Sequence, residues 1–488
     1  MAVSPARLAA FEILLKIDAA ESYSSELLHS ERLAALSRQD RALAMEIVMG
    51  VLRWRSWLDA DIARYSFTPF RKLDPEVLTA LRVGVYQLQF LERVPARAAI
   101  NESVDLVKHA RKASAAPLTN AILRKVPKTG AAERAALHAA LGPEFGAGSA
   151  ESEALASLLE YEDPDQLARR LATDFAHPEW MVRRWISHYG AARAVSVCRF
   201  DQQVPVTALR LGDVAAEAEL RAEGIELAPG ALLASARRVL YGDPTRTRAY
   251  AEGRVTIQDE GSQLVAALVG RGMRILDCCA APGGKTTALA ERNPEADILA
   301  ADLHEHRVRL MRRLVRAANV RIIQADARSL PVGGEFDRIL ADVPCSGTGT
   351  LARNPEIKWR LAPQDLPGLH TRQLAILRAA LSHLAAGGRL VYSTCSLEPE
   401  ENEAVIGEVL EQLGADPSSV QAAPEAVAAS PGRRFRLISV GEQLSRLEQE
   451  GKLSWRPAAS LTSGIFLRTL PGLQPCDGFF AAIIERTR

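Results

Sequence analysis

From about residue 256 onward the chain alternates short apolar runs with helical stretches, and no other feature limits its fold as tightly. MRILDCCA reads as a buried strand, and TTALAERN opens a helix. DILAADL is a strand and HRVRLMRRLVRAAN a helix. VRIIQAD, FDRILADVP and RLVYSTCS supply further strands. This β-α-β order predicts a parallel, doubly wound α/β sheet across 256–488. Ligands of such sheets bind beyond the C-terminal ends of the strands. DGFFAAIIERTR, at the end of the chain, predicts a late antiparallel strand, and a less regular excursion covers 413–465.

LDCCAAPGGKTTALA passes from strand through a Gly turn into a helix. Small residues let backbone close on a ligand, and the helix start offers free N–H groups. The spacing matches neither a Walker loop nor G-x-G-x-x-G. Asp302 ends the next strand, where a carboxylate can take both ribose hydroxyls. Asp326 ends the one after, within reach of an adenine, and Asp342 ends the fourth. A single strand-end Asp is about as often a helix cap. Three in succession behind a Gly turn predict S-adenosylmethionine (SAM).

Six cysteines are present, without C-x-x-C spacing, so no metal site is expected. Cys198, Cys278 and Cys476 read as inert core thiols. Cys279 lies in the Gly turn and lines the cofactor pocket. Cys345 and Cys395 differ, because each sits at a strand end in a polar turn rich in small residues, ILADVPCSGTG and RLVYSTCS.

Residues 1–145 are helical in pattern. LDPEVLTALRVGVYQLQFL sets Val77, Leu81, Val85 and Leu88 on one face, with Asp74 as cap and Pro75 at the first position. SRQDRALAMEIVMGVLRWRSWLD has a stripe of Leu43, Ile47, Gly50 and Val51, fringed by Arg38, Arg41, Arg53 and Arg55. Residues 1–130 hold 19 Lys and Arg against 14 Asp and Glu in a chain of net charge +1, which suits a basic face for phosphates. LGPEFGAGSAESEALA, at 141–156, reads as a linker. Residues 160–255 read as a small α+β module, with a helix in HPEWMVRRWISHYG and a strand in VPVTALRL. Hydrophobic residues at 48% can build a core, and no eighteen-residue apolar window spans a membrane. With no signal peptide in the opening segment, a cytoplasmic location is expected.

CAAPGGKT, DVPCSGTG, NPEIKWR and YSTCSLEPEENE resemble the motifs of the Sun-type family of RNA cytosine-C5 methyltransferases. QDEGSQLVA at 258–266 resembles that family's entry to its catalytic domain, and residues 1–130 are similar to the helical RNA-binding NusB fold. The resemblance covers nearly the whole chain. It implies a SAM-binding Rossmann-like methyltransferase domain (256–488) behind an all-α NusB-like domain (1–145) and a small α+β domain (160–255). By resemblance Cys395 is the attacking thiolate, Cys345 assists breakdown of the adduct, and Asp342 stands beside cofactor and base. Cys279, Ala280, Ala281, Pro282, Gly283, Gly284 and Lys285, with Asp302, Asp326 and Asp342, match the SAM contacts.

The implied chemistry starts from a poor nucleophile, cytosine carbon 5. A thiolate adding at carbon 6 loads electron density onto carbon 5. DNA cytosine methyltransferases use the Pro-Cys thiol instead, and the T-C-S cysteine with a helical N-terminal domain argues for RNA. The expected partner is 16S rRNA, at an exposed hairpin-loop cytosine that leaves its stack. Contacts are expected from the basic N-terminal helices and from Lys358, Trp359 and Arg360 beside the site. A monomer is expected. The same chemistry on tRNA or 23S rRNA is the alternative, as is a NusB-like assembly factor, against which the intact motifs speak.

Overall fold

The computed structural model describes residues 3–19, 24–28, 30–128, 163–213, 215–413 and 435–487. The expected linker at 141–156 lies outside them. The chain divides into two units. The first holds Met1–Val204 together with Leu351–Leu361, and the second holds Pro205–Thr350 with Ala362–Arg488.

The first unit is helical. Pro5–Asp18, Arg38–Arg53, Arg55–Tyr65, Pro75–Phe90, Ala96–His109 and Ala116–Leu123 share one apolar core. Val77, Leu81, Val85 and Leu88 all face it, as their spacing requires. Gly50 lets the second of these helices lie against Tyr86, since a Cβ there would collide with the ring. Two expectations fail here. The Asp74 carboxylate makes no cap and pairs with Lys112 at 3.1 Å. Arg53 is buried, and its guanidinium donates to the Ala352 carbonyl at 2.9 Å.

Three further helices, Pro164–Asp174, Glu179–Tyr189 and Ala191–Asp201, belong to this unit. The segment read as one α+β module at 160–255 is therefore split at Val204. A buried polar network explains the attachment. The Ala176 and Arg53 carbonyls share one donor, Lys358, and Gln202 donates to Phe175 and Arg53. Buried carbonyls need donors, so the network holds these helices to the rest.

The second unit contains two sheets. Strands β1 (Ala208–Leu211), β2 (Glu226–Pro229), β3 (Ala236–Tyr241) and β4 (Val255–Ile257) form an antiparallel sheet in the order β2-β3-β1-β4. The larger sheet uses β5 (Arg274–Asp277), β6 (Asp297–Asp302), β7 (Val320–Gln324), β8 (Phe336–Asp342), β9 (Leu384–Thr394), β10 (Phe435–Ile438), β11 (Thr462–Ser463), β12 (Phe466–Thr469) and β13 (Phe479–Arg486). Its order is β11-β12-β13-β9-β8-β5-β6-β7, with β10 also on β13. Strands β5 to β9 run parallel, and β13 pairs antiparallel with β9, as the closing sequence predicted. The order reverses between β5 and β8, which opens a crevice beyond their C-terminal ends. The excursion at 413–465 is more regular than its sequence suggested. It adds β10, the helix Val440–Gln449 and β11, while 414–434 fall outside the described residues.

Among the described residues no helix is long and apolar enough to cross a membrane, and no group of His, Cys, Asp or Glu is arranged to hold a metal ion.

Candidate active site

Each parallel strand ends on a residue singled out above, or shortly before one. β5 ends at Asp277 and runs into Cys278 and the Gly turn. β6 ends at Asp302, β7 two residues before Asp326, β8 at Asp342, and β9 one residue before Cys395. Cys345 follows β8 by three residues.

The crevice rim fits a nucleoside cofactor. Gly283 caps the helix Gly284–Arg292 with φ +108°, and a Cβ there would strike Val315. Only glycine suits both the backbone angle and the space. Asp302 is 6% exposed, and its carboxylate accepts from the Ala281 N–H at 3.3 Å and the His304 N–H at 3.1 Å. Those bonds fix the carboxylate at the end of β6, where a strand-end acid could hold ribose hydroxyls. Asp277 is buried. One of its oxygens accepts from Thr286 Oγ1 at 2.7 Å and the other has no partner. Burial pushes its carboxyl up to about 7. Asp326 is turned to Arg328, which grips its carboxylate and holds its pKa below the usual range.

Asp342 is the electrostatic centre. Lys285 Nζ donates to one carboxylate oxygen at 2.7 Å, and Ser393 Oγ donates to the other at 2.7 Å. Ser393 reaches it because β8 and β9 pair Asp342 directly with Ser393. Burial opposes the Lys285 ammonium, but the Asp342 charge and hydrogen bond hold its pKa above the ordinary lysine value.

The two thiols meet. Cys345 Sγ and Cys395 Sγ lie 3.4 Å apart, both part-exposed. The hydrogen bond to Cys395 and burial push the Cys345 thiol well up, so Cys345 keeps its proton. Cys198, Cys278 and Cys476 are buried, and burial raises each, which matches inert core thiols. Cys279 is raised by burial and by its neighbours.

Lys358, Trp359 and Arg360 were expected beside the site. They belong to the first unit, where Lys358 is 1% exposed and Trp359 Nε1 donates to the Leu52 carbonyl at 2.6 Å. Two residues of the site escaped the sequence reading. Ser393 looked like an ordinary strand residue. Asp277 had a signal, its place at the end of the strand that enters the Gly turn.

Comparison with known proteins agrees with this architecture. Residues 268–485 match the family model for 16S rRNA methyltransferase RsmB/F, and residues 4–128 match the NusB family. A probable ribosomal RNA small subunit methyltransferase B of Bacillus subtilis is 35% identical across 81% of this chain and 86% of its own length. A ribosomal RNA small subunit methyltransferase B of Pseudomonas syringae is also 35% identical, over 75% and 78%. The crystal structure of a protein named PH0851 superposes with a TM-score of 0.72 over 99% of both chains at 20% identity, a likeness of fold. With a NusB domain before a Rossmann-like SAM domain, this SAM-dependent methyltransferase belongs to the RsmB/F family of 16S rRNA methyltransferases.

Proposed function

We propose that the chain methylates carbon 5 of a cytosine in 16S rRNA through a covalent adduct between Cys395 and carbon 6. The observation that carries this reading is the pair of thiols 3.4 Å apart at the ends of β8 and β9, beside Asp342. SAM, when bound along the Gly turn, Asp302 and Asp326, supplies the methyl group.

Cys395 attacks as the thiolate, and Cys345 stands beside it as the protonated, assisting thiol. The new C–S bond puts electron density on carbon 5. Asp342, with both oxygens already fixed by Lys285 and Ser393, presents a rigid acidic contact to the base near N3. After methyl transfer, carbon 5 must lose its proton and carbon 6 its sulfur. Cys345 donates its proton to the departing Cys395 sulfur and takes the carbon-5 proton in return. One proton is then left over, and it leaves as Cys395 ionises for the next turnover.

RNA is held by basic residues of the NusB-like domain, residues 1–145, which presents the looped-out base. Cys395→Ala should abolish methylation, while Cys345→Ala should accumulate an RNA–protein adduct on a denaturing gel. If Cys345→Ala forms no adduct, the roles are reversed. Bisulfite mapping of rRNA with and without the gene identifies the base.

A further inference from the structure

Outside the acids already described, one fully buried carboxylate gathers donors from both thiol turns. Glu401 has no exposed surface. Its Oε1 accepts from the Ser346 N–H at 2.8 Å and from Gln373 Nε2 at 2.9 Å. Its Oε2 accepts from the hydroxyls of Ser346 and Ser396, which lie 2.9 Å from each other. Ser346 directly follows Cys345, and Ser396 directly follows Cys395.

Other bonds lock the same assembly. Gln373 also donates to the carbonyl of Pro344, so both neighbours of Cys345 are held. The Tyr392 hydroxyl donates to the Glu401 carbonyl at 2.7 Å and fixes that backbone against β9. The Gly349 N–H donates to the Cys395 carbonyl at 2.9 Å. A buried carboxylate is costly unless its lone pairs are filled. Four donors fill these, and three of them come from the two serines.

We propose that Glu401 is a positioning residue for methylation, clamping Ser346 to Ser396 and thereby fixing the separation of the Cys345 and Cys395 sulfurs. The role rests on the two-thiol reaction proposed above. Proton exchange between two sulfurs depends steeply on their distance, so a loose clamp slows adduct release most. The carboxylate has a second effect. After the Cys395 hydrogen bond, burial and the Cys395 charge, its negative charge also resists ionisation of Cys345. It thus helps keep the proton on the assisting thiol. Glu401→Gln preserves the shape and removes the charge, whereas Glu401→Ala removes the clamp.

The test measures sulfur spacing without RNA. Diamide, which takes up two hydrogens, joins two adjacent thiols, and mass spectrometry follows the Cys345–Cys395 linked peptide in the full chain. Glu401→Ala should slow linking about tenfold, since displacements near 1 Å carry effects of that order or larger. Glu401→Gln should restore linking but shift the pH profile of adduct release to lower pH, because Cys345 then ionises more easily. A purely structural Glu401 would leave that profile in place. If Glu401→Ala does not fold, Ser396→Ala removes one arm of the clamp and should slow linking in the same direction. Linking at the wild-type rate in both Glu401→Ala and Ser396→Ala overturns the clamp. Slowed linking with unchanged methylation leaves the clamp standing and overturns the two-thiol reaction instead.

Discussion

Lys285 in the second unit and Lys358 in the first both carry an amine into the protein, and their partners could hardly differ more. Lys285 meets a carboxylate, Asp342, and its pKa rises. Lys358 meets two carbonyls, Arg53 at 2.8 Å and Ala176 at 2.9 Å, and burial lowers it to about 7. A neutral amine still has two N–H donors, enough for those two acceptors. The same side chain therefore serves as a fixed cation in one pocket and as a nearly neutral hydrogen-bond tie in the other. Partner chemistry, more than depth, decides the charge.

Removing the cation gives the largest expected contrast. Lys285→Met leaves the Asp342 charge with Ser393 alone, and methylation should fall about a thousandfold, the scale of losing a preorganised electrostatic partner. A loss under tenfold would mean that the ion pair is idle in the reaction.

Lys358→Met sharpens the other side. The lowered pKa means that, between about pH 7 and the ordinary lysine value of 10.5, the unfolded chain binds the proton that the folded chain does not. Stability from this residue therefore rises with pH across that window. The variant should be less stable than wild type by ~1–2 kcal/mol near pH 9.5, having lost two buried hydrogen bonds. The gap should narrow toward pH 6.5. Urea unfolding at both values checks the trend, and a gap that stays constant would show a charged Lys358.

Trp359→Phe removes the indole donor to Leu52 and should cost about 1 kcal/mol, seen as a small fall in melting temperature. Smallest is Asp74→Ala. Asp74 is itself exposed and its partner Lys112 only half-buried, so no change in melting temperature is expected.

The two lysines also show what a sequence can reveal. The alternation after residue 256, the strand-end acids and the strand-end thiols were legible because they are local patterns, and each parallel strand delivers its residue to one crevice. The buried tie made by Lys358 has no such local signal in NPEIKWR. Its acceptors lie at residues 53 and 176, and no local pattern encodes a partner that distant. Glu401 hid for a related reason. In EPEENE it looks like one acid among several in a polar run, and only folding shows which carboxylate is enclosed by serine hydroxyls.

The passage of residues 351–361 through the first unit bears on how the chain is made. The first 204 residues leave the ribosome well before this segment exists. At 5–20 residues per second, roughly 7–30 s pass before Leu351 is added. Through that interval the Ala176 carbonyl, the Leu52 carbonyl and Ser24 await Lys358, Trp359 and Glu356. The first unit therefore receives its last segment only when the middle of the catalytic sequence has been made.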